Sequence, residues 1–94
     1  MIAITSYHGN SASAENNAKV IKLNGMSFYF SYETLVAVNT SRELKVMKNY
    51  WGPTTGKHLN AIDGGSQEAK DNRMDKDAFT DFVNHINVSV AINP

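Results

Sequence analysis

The fold is decided by the stretch Lys19-Val-Ile-Lys-Leu-Asn-Gly-Met-Ser-Phe-Tyr-Phe-Ser-Tyr32. Two runs of strand-forming residues flank Asn24-Gly25, a dipeptide that suits a type I′ turn because both central turn positions need positive φ. The stretch therefore predicts an antiparallel β-hairpin. Side chains alternate between the two faces of a strand, so one face of the second strand is strongly apolar and is expected to form the core. That face carries Met26, Phe28, Phe30 and Tyr32.

The segments on either side of the hairpin extend the predicted sheet. Residues 2–7 alternate apolar and polar side chains, which indicates a short N-terminal strand. Leu35–Val38 is almost wholly apolar, as is typical of a central strand that is buried on both faces. Leu44–Lys48 alternates again and predicts a further strand. The N-terminal half of the chain should therefore form an antiparallel meander.

Helical patterns begin after residue 53. A short helix is expected near 56–62, with Thr54 or Thr55 as its cap and Leu59 and Ile62 facing the core. A longer helix is expected over 75–87, with Asp75 as its N-cap. Its apolar stripe consists of Ala78, Phe79, Phe82, Val83 and Ile86.

These elements define an α+β fold as the expected class. It consists of a twisted antiparallel sheet of four to six strands, with the main helix at about 75–87 packed on one face and the short helix near 56–62. The polar residues 67–73 are expected to be a connection without regular structure. Val88–Ile92 is expected to be an edge strand, and an exposed edge could pair two chains as a homo-oligomer.

Length, composition and charge exclude several classes of protein. The chain has 94 residues, which predicts a single domain over 1–94, and it has no cysteine for disulfides or thiol chemistry. Its start has no basic signal region, and no apolar run approaches the length of a membrane span, so no membrane association is expected. Nine Lys and Arg balance nine Asp and Glu, but residues 1–60 hold six bases and three acids, and residues 61–94 hold three bases and six acids.

No catalytic or metal-binding set is visible, so the protein is expected to be neither an enzyme nor dependent on a cofactor. The segment Gly52–Lys57 lacks the spacing of a P-loop, although hydroxyls, backbone amides and a lysine at a helix start can hold an anion. The candidate binding residues are Tyr50, Trp51, Thr54, Thr55, Lys57, His58 and Asn60. An acidic partner surface is a second candidate, formed by Glu68, Asp71, Asp75, Asp77 and Asp81.

Two of these residues also have a purely structural interpretation. His58 lies in the densest polar cluster but has no serine or carboxylate beside it in sequence to complete a catalytic set, so it can instead tie the short helix to the sheet. Trp51 is the single tryptophan of the chain and can be a core residue under its loop rather than a contact for a partner. The sequence leaves both alternatives open.

The middle of the chain resembles a family of small bacteriophage proteins of unassigned function. The resemblance is carried by an SYxTxVA strand in Phe30–Val38 and by an NxWxxTTGKHLN segment in Asn49–Asn60, within which Pro53 departs from the usual Ser or Val. The matching positions are Tyr32, Thr34, Ala37, Trp51, Thr54, Thr55, Lys57, His58 and Asn60. The resemblance implies a viral origin and a location in the cytoplasm of an infected bacterial host, but no activity.

Three functional hypotheses follow. The first is a non-catalytic phage accessory protein that binds and inhibits a host protein or protein–nucleic acid complex, such as a CRISPR effector, and so acts in counter-defence as an anti-CRISPR-like inhibitor. The second is a sponge for a nucleotide immune signal, in which Thr54, Thr55, Lys57, His58 and Asn60 face the nucleotide ligand. The third is a small nucleic-acid-binding module that uses Tyr50, Trp51 and nearby lysines.

Overall fold

Five strands form one antiparallel sheet whose spatial order is the order of the chain. They are seen in a computed structural model, which describes residues 3–7 and 17–92, with side chains described for residues 7 and 17–86. The strands are β1 (Ala3–Ser6), β2 (Ala18–Leu23), β3 (Met26–Ser31), β4 (Thr34–Asn39) and β5 (Leu44–Val46). Together with the helices below, this sheet confirms the predicted α+β class.

The β2–β3 hairpin forms as the sequence predicts. Asn24 and Gly25 have φ of 53° and 79°, the left-handed values that a type I′ turn requires. Leu23 then pairs with Met26, and the antiparallel register runs on to Ala18 opposite Ser31. The turn chemistry therefore sets the register of the two central strands.

A β-bulge in the β3–β4 pair determines which side chains share a face. Tyr29 pairs with Ala37, but Phe30 pairs with Leu35, so Val36 is the extra residue of β4. One hydrophobic cluster combines Tyr29, Val36 and Ala37 with residues of the helix after β5, and a second contains Phe28 and Val38. Because neighbouring residues of a strand point to opposite faces, the two clusters lie on opposite faces of the sheet.

The predicted apolar face of β3 is therefore confirmed for Met26 and Phe28, which pack in the second cluster, but it is wrong for Tyr32. Tyr32 lies outside the strand and is 49% exposed, whereas Ser31, on the other face by strand alternation, is buried. Tyr32 and Glu33 form the tight turn to β4, and Tyr32 takes a φ of 57° there while its N–H donates to the Asn17 carbonyl at 2.7 Å. The turn removes Tyr32 from the alternation that its sequence position suggested.

The first helix, α1 (Pro53–Asp63), covers one face of the sheet. It begins at Pro53 rather than near residue 56, because the fixed φ and missing N–H of proline suit the first helical position. Gly52 is therefore the N-cap, and Thr54 and Thr55 lie in the first turn instead of capping it. Leu59 packs against Val36 and Val46, as the sequence predicts for the apolar side of this helix.

A short helix, α2 (Gln67–Asp71), occupies the segment that was expected to be an irregular connection, so that expectation is wrong. Ser66 is its N-cap, and the Ser66 hydroxyl accepts a hydrogen bond from the Ala69 N–H at 3.1 Å. Ser is among the preferred N-cap residues because its side chain satisfies a free amide of the first turn. This local signal was present in the sequence.

The main helix, α3 (Lys76–Ile92), packs on the face opposite α1 through Phe79, Phe82, Val83 and Ile86. Asp75 caps it as predicted, since its Oδ1 accepts from the Ala78 N–H at 2.8 Å. The helix continues through Val88–Ile92, so the predicted edge strand there is wrong. No glycine or proline stands between Asp75 and Ile92 to end the helix, and the pairing of two chains loses the strand on which it rested.

The segment between α2 and α3 protects one edge of the sheet. Met74 forms a parallel bridge with Met47, its N–H donates to the Val46 carbonyl at 2.8 Å, and its carbonyl accepts from the Lys48 N–H at 2.8 Å. The backbone after β5 is thereby tied to the start of α3.

Among the described residues, no helix combines the length and the apolar character that crossing a bilayer requires.

Candidate partner-binding site

Helix α1 divides the TTGKHLN segment between two sides. Thr55, His58 and Leu59 recur at helical spacing on the side that faces the sheet, and all three are buried. Thr54 and Lys57 lie on the exposed side. The five residues that were predicted to face a nucleotide therefore do not share one surface.

A buried polar network joins α1 to β3. The Ser31 hydroxyl oxygen lies 2.9 Å from Thr55 Oγ1 and 2.7 Å from His58 Nδ1. The rings of Tyr7 and Tyr32 flank His58, with centroid distances of 6.1 and 6.0 Å. Buried hydroxyls and imidazoles require such partners, so this network gives Thr55 and His58 a structural role in attaching α1 to the sheet.

Tyr7 closes this region from the first strand. Its hydroxyl donates to the Phe30 carbonyl at 2.6 Å, and its ring meets that of Tyr29 edge to face at 5.2 Å. Burial, with a smaller contribution from Tyr29, raises the pKa of Tyr7 well above its ordinary value. Tyr7 and Ser31 were not candidates in the sequence, because nothing local indicates that they meet a helix residue far along the chain.

Asn60, the last candidate of the segment, belongs to a different cluster. Its Oδ1 accepts from Arg73 Nη2 at 3.1 Å, and Arg73 also donates from Nε and Nη2 to the two carboxylate oxygens of Asp63 at 2.8 and 2.9 Å. Burial alone would raise the pKa of Asp63, but the hydrogen bonds from Arg73 and from the Gly65 N–H, with the Arg73 charge, hold it below its ordinary value. This cluster fastens the segment before α3 to the end of α1.

Tyr50 and Trp51, in contrast, lie on the surface. Their exposed fractions are 52% and 45%, so Trp51 is not a core residue. Asn49 fixes their turn, because its Oδ1 accepts from the Trp51 N–H at 2.9 Å and its Nδ2 donates to the Gly52 carbonyl at 3.2 Å. The Tyr50 hydroxyl accepts from the Lys76 N–H at 3.0 Å, and the two rings meet edge to face at 6.0 Å. Both aromatic residues are therefore held in place while remaining accessible.

Trp51 forms one wall of a cavity of about 390 Å³ between α3 and the β4–β5 side of the sheet, which we call the aromatic groove. Apolar side chains of the sheet and of α3 make most of its lining, and two threonines and one lysine complete it. The lining residues are Thr34, Leu35, Met47, Trp51, Lys76, Phe79, Thr80 and Val83.

The acidic candidates are distributed over two helices and have different roles. Glu68 and Asp71 are exposed on α2, where Asp71 accepts from Gln67 Nε2 at 2.8 Å. Asp75 is occupied by capping α3, whereas Asp77 and Asp81 lie four residues apart and exposed on that helix. In the described part of the chain, no group of three His, Asp or Glu side chains is placed to hold a metal ion.

The fold and this site define the chain as a small α+β domain with an exposed aromatic groove. The chain belongs to a family of unknown function, DUF8033, whose model matches residues 2–80 and so spans all five strands, α1, α2 and the groove as far as Thr80. No curated protein and no solved structure matches the chain.

Proposed function

We propose that the protein is a non-catalytic accessory domain that binds a host protein, alone or within a protein–nucleic acid complex, through the aromatic groove. The observation that carries the proposal is Trp51, a large aromatic side chain that is 45% exposed and forms one wall of a mostly apolar groove. Tryptophan and tyrosine are over-represented among the residues that dominate binding energy at protein interfaces.

The rigidity of the site also supports binding. The Asn49 side chain bonds to the backbone on both sides of Trp51, and the Tyr50 hydroxyl bonds to the start of α3. A residue whose backbone is already fixed has less conformational entropy to lose when a partner buries its side chain. The fixed backbone of Trp51, with the ring of Tyr50 against its indole at 6.0 Å, therefore favours binding.

The lining of the groove favours a protein partner over a nucleic acid. Single-stranded nucleic acids are held by stacking on aromatic rings together with a groove of cations that follows the phosphate backbone. Here one lysine, Lys76, faces an apolar lining that includes Leu35, Phe79 and Val83. The nucleotide-sponge alternative is less supported, because Thr55 and His58 are buried against Ser31.

The resemblance to small bacteriophage proteins supplies the biological setting of the proposal. In that setting the protein acts in the cytoplasm of an infected bacterium, and its partner is a host complex that it inhibits, such as a CRISPR effector. The exposed pair Asp77 and Asp81 on α3 is a second surface that the same partner can contact.

Affinity purification from bacterial lysate tests the proposal. We expect the tagged protein to enrich one large assembly, and the Trp51→Ala variant to lose it while keeping its thermal unfolding midpoint. Leu44→Ala is the matched control, because Leu44 is also an exposed apolar residue but lies at the opposite end of β5. The protein should lower the activity of the enriched assembly in proportion to its concentration. Enrichment that Trp51→Ala leaves unchanged would contradict the proposal.

Charge reversal on α3 tests whether the partner also contacts the acidic surface, in which case the variant should release the enriched assembly. The double variant Asp77→Lys/Asp81→Lys is used, because reversal at Asp75 would also remove the cap of α3.

The two rival functions give different signals with the same purified protein. A thermal shift with cyclic or ADP-ribose-type nucleotides would support the sponge, and an oligonucleotide affinity that falls steeply between 50 and 200 mM salt would support nucleic-acid binding.

A further inference from the structure

Lys76 is the single charged residue among those that line the aromatic groove. Its backbone is fixed, because its N–H donates to the Tyr50 hydroxyl at 3.0 Å. The ion pairs seen in the described part of the chain are Lys45–Glu43 and Arg73–Asp63, so no carboxylate of those residues holds the Lys76 ammonium. A lysine without an ion-pair partner among the described residues therefore lines the same mostly apolar cavity as the exposed Trp51.

The position of this lysine is one that its helix does not favour. Lys76 is the first residue of α3, where the helix dipole is positive and an acidic side chain is preferred. Its neighbours do not neutralise it within the helix, since Asp75 caps the helix and residues one apart do not face each other. A lysine that local energetics disfavour at this position and that lines the groove is a candidate for recognition.

We infer, on the basis of the proposed function, that the groove receives a segment of the partner protein with an apolar anchor and a neighbouring carboxylate. The anchor fills the cavity against Trp51, Phe79 and Val83, and the Asp or Glu pairs with Lys76. A volume of about 390 Å³ is at the small end of ligand pockets, which range from about 300 to 1,000 Å³, and suits one large apolar side chain or two smaller ones.

Selection from a displayed library of random dodecapeptides tests this inference on the full chain. Peptides that bind the protein are counter-selected against Trp51→Ala, so that only groove-dependent sequences remain. We expect these to combine a Leu, Ile, Phe or Trp with an Asp or Glu no more than four positions away.

Matched charge variants then test the role of Lys76 on the selected peptides. Lys76→Glu should weaken binding by about fivefold or more, and Lys76→Met, which keeps the apolar stem, by about two- to fivefold. Lys22→Glu is the control, because Lys22 is exposed near the hairpin turn, at the end of the sheet away from Thr34. Peptides whose acids are replaced by lysine should bind Lys76→Glu better than the unmodified protein.

The two proposals fail in different ways. Groove-dependent peptides that lack acidic enrichment, or that bind Lys76→Glu as well as the unmodified protein, would overturn the inference and leave the proposed function standing. A selection without any Trp51-dependent peptide would also overturn the inference, whereas the proposed function is contradicted by lysate enrichment that Trp51→Ala leaves unchanged.

Discussion

Arg73 and Asp63 show how much a single side-chain pair can hold in this protein. Both side chains are buried, and their two hydrogen bonds of 2.8 and 2.9 Å match the planar guanidinium to the carboxylate. Asp63 is the last residue of α1, and Arg73 directly precedes Met74, which bridges to Met47 beside the sheet. A contact between two residues that are ten apart thus positions the start of α3.

Removal of one partner of this pair should be strongly destabilising. Asp63→Ala leaves the Arg73 charge buried without its partner and should lower the free energy of unfolding by about 3–5 kcal/mol in urea denaturation. Asp71→Ala, at an exposed carboxylate of α2, is the control and should change it by no more than about 0.5 kcal/mol. A loss at Asp63 as small as that at Asp71 would show that the pair contributes little.

The same pair predicts the response of the protein to acid. Because the folded pKa of Asp63 is lowered, the carboxylate stabilises the fold above the ordinary pKa of about 3.9, and this contribution is lost as the pH falls through the folded pKa. The free energy of unfolding should therefore decline below about pH 4 more steeply in the unmodified protein than in Asp63→Asn. Parallel pH profiles for the two proteins would contradict this assignment.

At the scale of elements, α1 and α3 begin with different caps. Gly52 precedes α1 with extended backbone and has no side chain to accept from the free amides, whereas Asp75 performs this function for α3. A Cβ at Gly52 would meet no atom within 4 Å, and its φ of −116° is open to any residue. The two helices are therefore a matched pair for measuring the effect of a cap.

We expect opposite effects from two cap substitutions. Gly52→Asp should raise the free energy of unfolding by about 0.3–1 kcal/mol, because the new carboxylate accepts from the first turn and faces the positive end of the helix dipole. Asp75→Ala should lower it by about 1 kcal/mol. Thermal unfolding of the two variants beside the unmodified protein measures both effects. A destabilising Gly52→Asp would show that the loop, rather than the helix, determines this position.

For the molecule as a whole, β4 connects the two hydrophobic clusters. Val36 and Ala37 belong to the cluster under α1, and Val38 belongs to the cluster under α3. Neither helix can leave its face without exposing residues of the same strand. We therefore expect the two faces of the sheet to unfold together, as a single domain would.

Leu59→Ala tests this cooperativity. Leu59 is fully buried on the α1 face, and its truncation should lower the free energy of unfolding by about 2–5 kcal/mol. Trp51 lies beside α3 on the other face, and as the only tryptophan it is a specific fluorescence probe. The urea midpoints from Trp51 fluorescence and from far-UV circular dichroism should fall by the same amount. A Trp51 midpoint that does not move would indicate two independent units.

The sequence by itself determined the elements that depend on short-range signals. Asn24-Gly25 specified the hairpin and its register, and Asp75 with the spacing from Phe79 to Ile86 specified the start and the buried side of α3. The apolar run of β4 and the alternation of β5 specified strands. Each of these follows from turn geometry, capping or periodicity within a few residues, so no knowledge of distant packing was needed.

Only the tertiary structure decided what the candidate residues do. The bulge at Val36 placed Val36 and Ala37 together in the cluster under α1. The contact with Ser31 made Thr55 and His58 structural, and the approach of α3 made Trp51 one wall of a groove. The physical reason is the same in each case. Whether a polar or aromatic side chain is buried, bonded or exposed depends on which distant segment packs against it, and no local pattern encodes that choice.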